Sequence, residues 1–135
     1  MIELVNIEKR FGNKRVLRNI NLNLQEGKVY GLFGPNGVGK TTLLKIMAGY
    51  NKKTSGEYKI NGLDFTYENK DHITFISDKE IFYGWMKIKD AVKYYKDFFT
   101  DFDEEKCLRL VKMMKLEADD KINVLSKGMK ARLKV

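Results

Sequence analysis

The chain has 135 residues, of which 43% are hydrophobic and 33% charged, a balance that supports one packed domain and excludes a disordered tail. Its 26 Lys and Arg against 18 Asp and Glu give a net charge of +8. These cations are scattered singly or in pairs such as Lys52-Lys53, without a basic stripe interleaved with aromatics, so they read as solvated surface rather than a nucleic-acid face. The lone Cys107 excludes an internal disulfide. With no apolar run near the ~18 residues a bilayer requires, and no signal-peptide core at the start, a soluble cytosolic chain is expected.

In chain order, Ile2, Leu4, Val5 and Ile7 predict a first strand, and Ile20, Leu22 and Leu24 alternate with Asn19, Asn21, Asn23 and Gln25 as a half-buried strand does. Glu26-Gly27-Lys28 reads as a turn. Val29 to Phe33 is too uniformly apolar for alternation, so a strand buried on both faces of a parallel sheet is expected there. A glycine-rich loop then opens a helix over residues 40–48, with Gly49 suited to end it. Residues 54–62 predict a strand closed by an Asn61-Gly62 turn, with Tyr58 and Ile60 on one face, and Ile73 to Ser77 predicts another strand.

The hydrophobic period then changes from two to about 3.6. Ile88, Val92, Tyr95 and Phe99 fall on one face of a helix; Asp103 is placed to cap a second, with Glu104 and Glu105 in its first turn and Cys107, Leu110, Val111 and Met114 on its apolar face. The resulting division is 1–76, strands and loop core; 86–125, helical subdomain; and 125–135, a last motif with the start of its helix.

The chemistry concentrates in Gly34, Pro35, Asn36, Gly37, Val38, Gly39, Lys40, Thr41 and Thr42, which fit G-x-x-x-x-G-K-[ST], the loop that wraps nucleotide phosphates. Gly34, Gly37 and Gly39 accept positive φ and bring no Cβ, so successive backbone N–H groups turn inward as an anion nest. The helix that follows adds its unpaired amides and dipole. Lys40 suits the β and γ phosphates, the Thr41 hydroxyl is a hard oxygen ligand for Mg²⁺, and Thr42 suits the α phosphate.

A second motif, Leu125-Ser126-Lys127-Gly128-Met129 followed by Lys130, Ala131, Arg132, Leu133 and Lys134, resembles the signature of ABC proteins, usually LSGGQ followed by a basic and apolar helix. The order of features also resembles an ABC nucleotide-binding domain across essentially the whole chain. That resemblance implies an α/β phosphate-loop NTPase fold: an antiparallel β-subdomain, part of a RecA-like core and a helical subdomain. It further implies ATP and Mg²⁺ as ligands, a homo- or heterodimer of such domains, and an integral membrane permease. Localisation would be cytoplasmic, peripheral on the inner face of the membrane, with no nucleic acid involved. An alternative is a soluble ABC ATPase acting on ribosomes or nucleic acid; a small-molecule kinase or GTPase would leave the signature unexplained.

By the same resemblance, Phe11 stands where the family stacks an aromatic on adenine, its other reading being an aromatic packed at a turn, and Val16 would line the same pocket. Ser126 and Gly128 match positions that contact the γ-phosphate held by the opposite subunit, although Ser126 also suits a helix cap. Lys127 and Met129 depart from the usual Gly and Gln. Asp78 follows Ser77 where many members carry a Gln; it is read as a Mg²⁺ ligand or as a surface carboxylate. The Ile81 to Met86 segment reads as a partner patch if exposed and core if buried. His72 lies upstream of the signature and does not match the family's catalytic His, and Cys107 reads as structural. No apolar strand ending in Asp-Glu is read here, so no catalytic base is assigned within the 135 residues, which read as an N-terminal part of an ATPase that hydrolyses MgATP to drive transport, this part alone being expected to bind nucleotide with weak or no turnover.

Overall fold

A computed structural model describes residues 1–66, 73–77 and 82–134. The chain divides into two compact units, Met1–Phe75 and Ile76–Val135. Among the described residues no helix is long and apolar enough to cross a membrane.

In the first unit, strands β1 (Ile2–Phe11), β2 (Lys14–Leu24), β3 (Ser55–Ile60) and β4 (Leu63–Asp64) form one antiparallel sheet in the order β2-β1-β3-β4. The alternation read along β2 is realised, with Leu17 buried, Ile20, Leu22 and Leu24 partly buried, and the intervening asparagines exposed. Asn61 (φ 51°) and Gly62 (φ 80°) make the left-handed turn between β3 and β4, the conformation for which Asn-Gly is the favoured pair.

One helix, α1 (Lys40–Met47), packs on this sheet through Leu43 and Ile46, which join Leu4, Ile7, Leu17 and Tyr58 in a single core. The Tyr58 ring stacks on Phe65 at 4.5 Å between centroids, and its hydroxyl donates to the Met47 carbonyl at 2.6 Å, tying β3 to the last turn of α1. Burial pushes the Tyr58 phenol up to about 12. The helix ends as expected at Gly49 (φ 74°): the Gly49 N–H donates to the Ile46 carbonyl and the Tyr50 N–H to that of Lys45, the paired bonds of a Schellman stop.

Two expected strands do not form. Residues 28–35 and 73–77 pair with no strand among the described residues, and Val29 and Phe33 are 101% and 92% exposed. Apolar composition records a preference for burial; a strand also requires a partner strand to take its N–H and C=O groups, and among the described residues these segments join no ladder.

The second unit is built on α2 (Ile88–Phe98), α3 (Glu104–Met113) and α4 (Lys127–Leu133), with a short 3₁₀ turn at Ile122–Val124. Its core gathers Met86, Ile88, Ala91, Val92, Val111, Leu116, Ile122 and Leu125. The helix starts carry caps: the Asp90 carboxylate accepts from the Lys87 N–H at 2.9 Å, and Asp103 accepts from the Lys106 N–H at 2.8 Å. An ion pair between Lys96 and Glu104 at 2.6 Å links α2 to α3. Of the expected apolar face of α3, Val111 is fully buried, Cys107 and Met114 are partly buried, and Leu110 remains 45% exposed. Burial, with a smaller contribution from Glu104, raises the Cys107 thiol pKa, which suits a packed residue rather than a nucleophile.

Where β1 and β3 change register between Val5 and Glu8, Gly56 (φ 92°) sits so close to β1 that an added methyl would lie 2.4 Å from the Asn6 carbonyl oxygen. Gly56→Ala is expected to lower stability by about 2–4 kcal/mol, from backbone collision plus left-handed strain. Gly62→Ala, whose methyl would meet nothing within 4 Å, should cost about 1–2 kcal/mol from strain alone. Urea unfolding midpoints of the two variants check the order.

Candidate functional site

The loop from Gly34 to Gly39 is shaped by three glycines with positive φ: Gly34 at 151°, Gly37 at 81° and Gly39 at 109°. Pro35, Asn36 and Val38 are exposed along it. Gly39 is the N-cap of α1 and, having no side chain, leaves the first-turn amides of Lys40, Thr41 and Thr42 without a side-chain cap. No acidic residue occupies that turn. An uncapped helix start of this kind offers N–H groups and a positive dipole end to an anion.

The loop is seated on β2. A methyl on Gly39 would fall 2.8 Å from Leu17 Cδ2 and 3.2 Å from the Val16 carbonyl oxygen, so the bare backbone lies directly against these two residues. Val16, expected in the same pocket as Phe11, thus borders the phosphate loop. The Lys40 ammonium donates to the carbonyls of Gly34 at 2.7 Å and Pro35 at 2.8 Å, two of its three donors turned back across the loop. Thr41 is exposed and Thr42 partly buried.

Phe11 ends β1, half exposed, opposite Lys14. The ring sits directly before the Gly12-Asn13 turn, with the Lys9 ammonium 4.6 Å from its centroid. Lys9 is in turn the cross-strand partner of Leu17, the residue that touches Gly39. Phe11, Lys9, Leu17 and the loop therefore form a contiguous series in the first unit. Sequence reasoning passed over Lys9, although its i−2 position from Phe11 on a strand is the signal that places both on one face.

Ser126 and Gly128 lie in the second unit. Ser126 caps α4 by accepting from the Met129 N–H at 3.2 Å. Met129 packs its side chain against the second core, which gives an apolar residue there a structural reason in place of the usual Gln. Gly128 has no positive φ, and a methyl on it would meet nothing within 4 Å. Among the described residues nothing calls for glycine in that helix, where it costs about 1 kcal/mol relative to Ala.

Asp78, His72 and Ile81 lie outside the described residues. The rest of the aromatic segment divides between the two readings: Phe82 packs against the second core and Met86 is buried within it, while Tyr83 and Trp85 are 69% and 72% exposed and stacked with centroids 6.0 Å apart.

A three-glycine loop that opens an uncapped helix on an antiparallel sheet, with a lysine bridging it, defines a phosphate-loop anion site. The family model for ABC transporters matches residues 17–135, and the chain belongs to that family. Among its curated relatives is the lantibiotic transport ATP-binding protein SrtF of Streptococcus pyogenes, 33% identical over 135 residues. The alignment covers 98% of this chain and 58% of SrtF, so the chain spans somewhat more than half the length of that relative. Among solved structures, the ATP-binding protein of a putative ABC transporter from Pyrococcus furiosus matches with a TM-score of 0.80 at 28% identity, covering 98% of this chain and 66% of that one. A dimeric ATP-binding cassette in a post-hydrolysis state, bound to ADP and Pi, matches with a TM-score of 0.77 at 28% identity, covering 99% of this chain and 67% of that one. The fold is accordingly that of a phosphate-loop ABC domain in part, antiparallel sheet plus helices.

Gly39→Ala is expected to displace the start of α1 from β2, lowering stability by about 2–3 kcal/mol and weakening phosphate binding. Gly37→Ala, with open space around it, should cost only left-handed strain. Thermal melts with and without added tripolyphosphate separate the two.

Proposed function

We propose that this chain is the nucleotide-binding part of an ABC transporter ATPase, taking MgATP at the Gly34 to Thr42 loop. The observation that carries the reading is the combination of positive-φ glycines, uncapped α1 amides and the Lys40 ammonium at one loop. In it the α1 amides and Lys40 hold the β and γ phosphates, Thr42 serves the α phosphate, and Phe11 with Val16 receives the adenine. Among the described residues no group of three His, Cys, Asp or Glu is gathered for a metal. Thr41 would offer its hydroxyl to Mg²⁺, whose preferred coordination leaves room for phosphate oxygens and water. Bound Mg²⁺ neutralises phosphate charge.

Two copies would pair so that Ser126 and Gly128 of one meet the γ-phosphate held by the other. The dimeric, ADP- and Pi-bound relative supports such a pairing, and a glycine at 128 without an internal reason supports close approach by something from outside. In the whole protein, hydrolysis would drive a separate membrane permease, which Tyr83 and Trp85 are placed to contact as an exposed aromatic pair. The domain would work at the cytoplasmic face of the membrane.

Lys40→Ala is expected to abolish detectable MgATP binding, a loss of at least about 100-fold from removing charge-assisted hydrogen bonds; unchanged affinity in calorimetry would sink the site assignment. We expect the purified 135-residue chain to bind nucleotide with weak or no turnover, and steady phosphate release that Lys40→Ala eliminates would count against this.

A further inference from the structure

We propose that Lys9 is a positioning residue for the nucleotide base, making Phe11 a one-sided stacking platform; this rests on the reading of Phe11 as the adenine-binding ring. The Lys9 ammonium lies 4.6 Å from the centroid of the Phe11 ring and also donates to the Lys52 carbonyl at 2.6 Å. Two contacts thus fix a side chain that otherwise has four rotors.

The surroundings make that placement informative. Arg10 faces Arg15 across the hairpin and Phe11 faces Lys14, so Lys9 belongs to a tip crowded with cations, and mutual repulsion alone would send its ammonium outward into solvent. It is instead held over the ring. The cation–π attraction and the Lys52 carbonyl hold it there against that repulsion.

Two effects on a base follow. The ammonium covers one face of the half-exposed Phe11 ring, so a stacked base is confined to the opposite face. A cation on one face also draws π density away from the other, lowering the repulsion that a stacked purine meets. Lys9 therefore acts on the base through Phe11, and its cross-strand partner Leu17 connects this platform to Gly39 of the phosphate loop.

Calorimetric titration of the chain with MgATP, and with magnesium tripolyphosphate, which has phosphates and no base, tests this at about 0.15 M salt to screen distant charge. Lys9→Met keeps an aliphatic side chain and removes the charge. It should weaken MgATP binding about three- to tenfold while leaving tripolyphosphate unchanged within about twofold, and Lys9→Arg should restore most of the loss. Equal weakening of both probes would assign Lys9 to the phosphates and overturn the proposal, as would no weakening of either. Phe11→Ala separates the levels of failure. Unchanged MgATP affinity in that variant, or no MgATP binding by the wild-type chain, overturns the base platform and this inference together. Weakening in Phe11→Ala with none in Lys9→Met removes Lys9 alone.

Discussion

The contact on which the site depends is the one between the bare backbone of Gly39 and β2. Because no Cβ intervenes, Leu17 and Val16 reach the loop directly, and the start of α1 is fixed to the sheet while Leu43 and Ile46 bury its far side in the same core as Leu17. One residue thereby serves packing and electrostatics together. The left-handed turn at Gly39 seats the helix, and the missing side chain leaves its first amides uncapped for an anion. The core that stabilises the first unit is thus continuous with the glycine-rich loop at the start of α1.

The second unit solves a similar problem with different means. There the helix starts are closed by their own side chains, Asp90, Asp103 and Ser126 each accepting a backbone N–H. At α4 the Ser126 cap and the packing of Met129 give the helix its internal support, while Lys127 and Gly128 face outward. The signature region therefore combines a residue the fold uses, one it packs, and one for which it has no use of its own.

Much of this was legible because local chemistry decided it. The Asn61-Gly62 turn, the Gly49 stop, the Asp103 and Ser126 caps and the alternation along β2 each depend on a few neighbouring residues, and each is found where the residue types place it. What was not legible depended on partners distant in sequence. Apolar content at Val29 to Phe33 states a need for burial without supplying a partner strand, so the strand expected there joins no ladder among the described residues. The role of Lys9 depends on a bulged register that sets it opposite Leu17 while Arg10 meets Arg15; a list of charges holds no such information. The mixed fate of Phe82, Tyr83, Trp85 and Met86 likewise required knowing which side chains the second core had room for.

The segment at Val29 to Phe33 has a practical consequence of a different kind. Five residues without charge or proline, lying outside any helix or strand with Val29 and Phe33 exposed, have the composition of a self-pairing template. Lys28 and Pro35 flank it, a charge and a strand breaker in the places where gatekeepers oppose edge-to-edge growth. Those five residues and their two flanks therefore bear on how concentrated this chain remains in solution before it aggregates, alongside its surplus of positive charge.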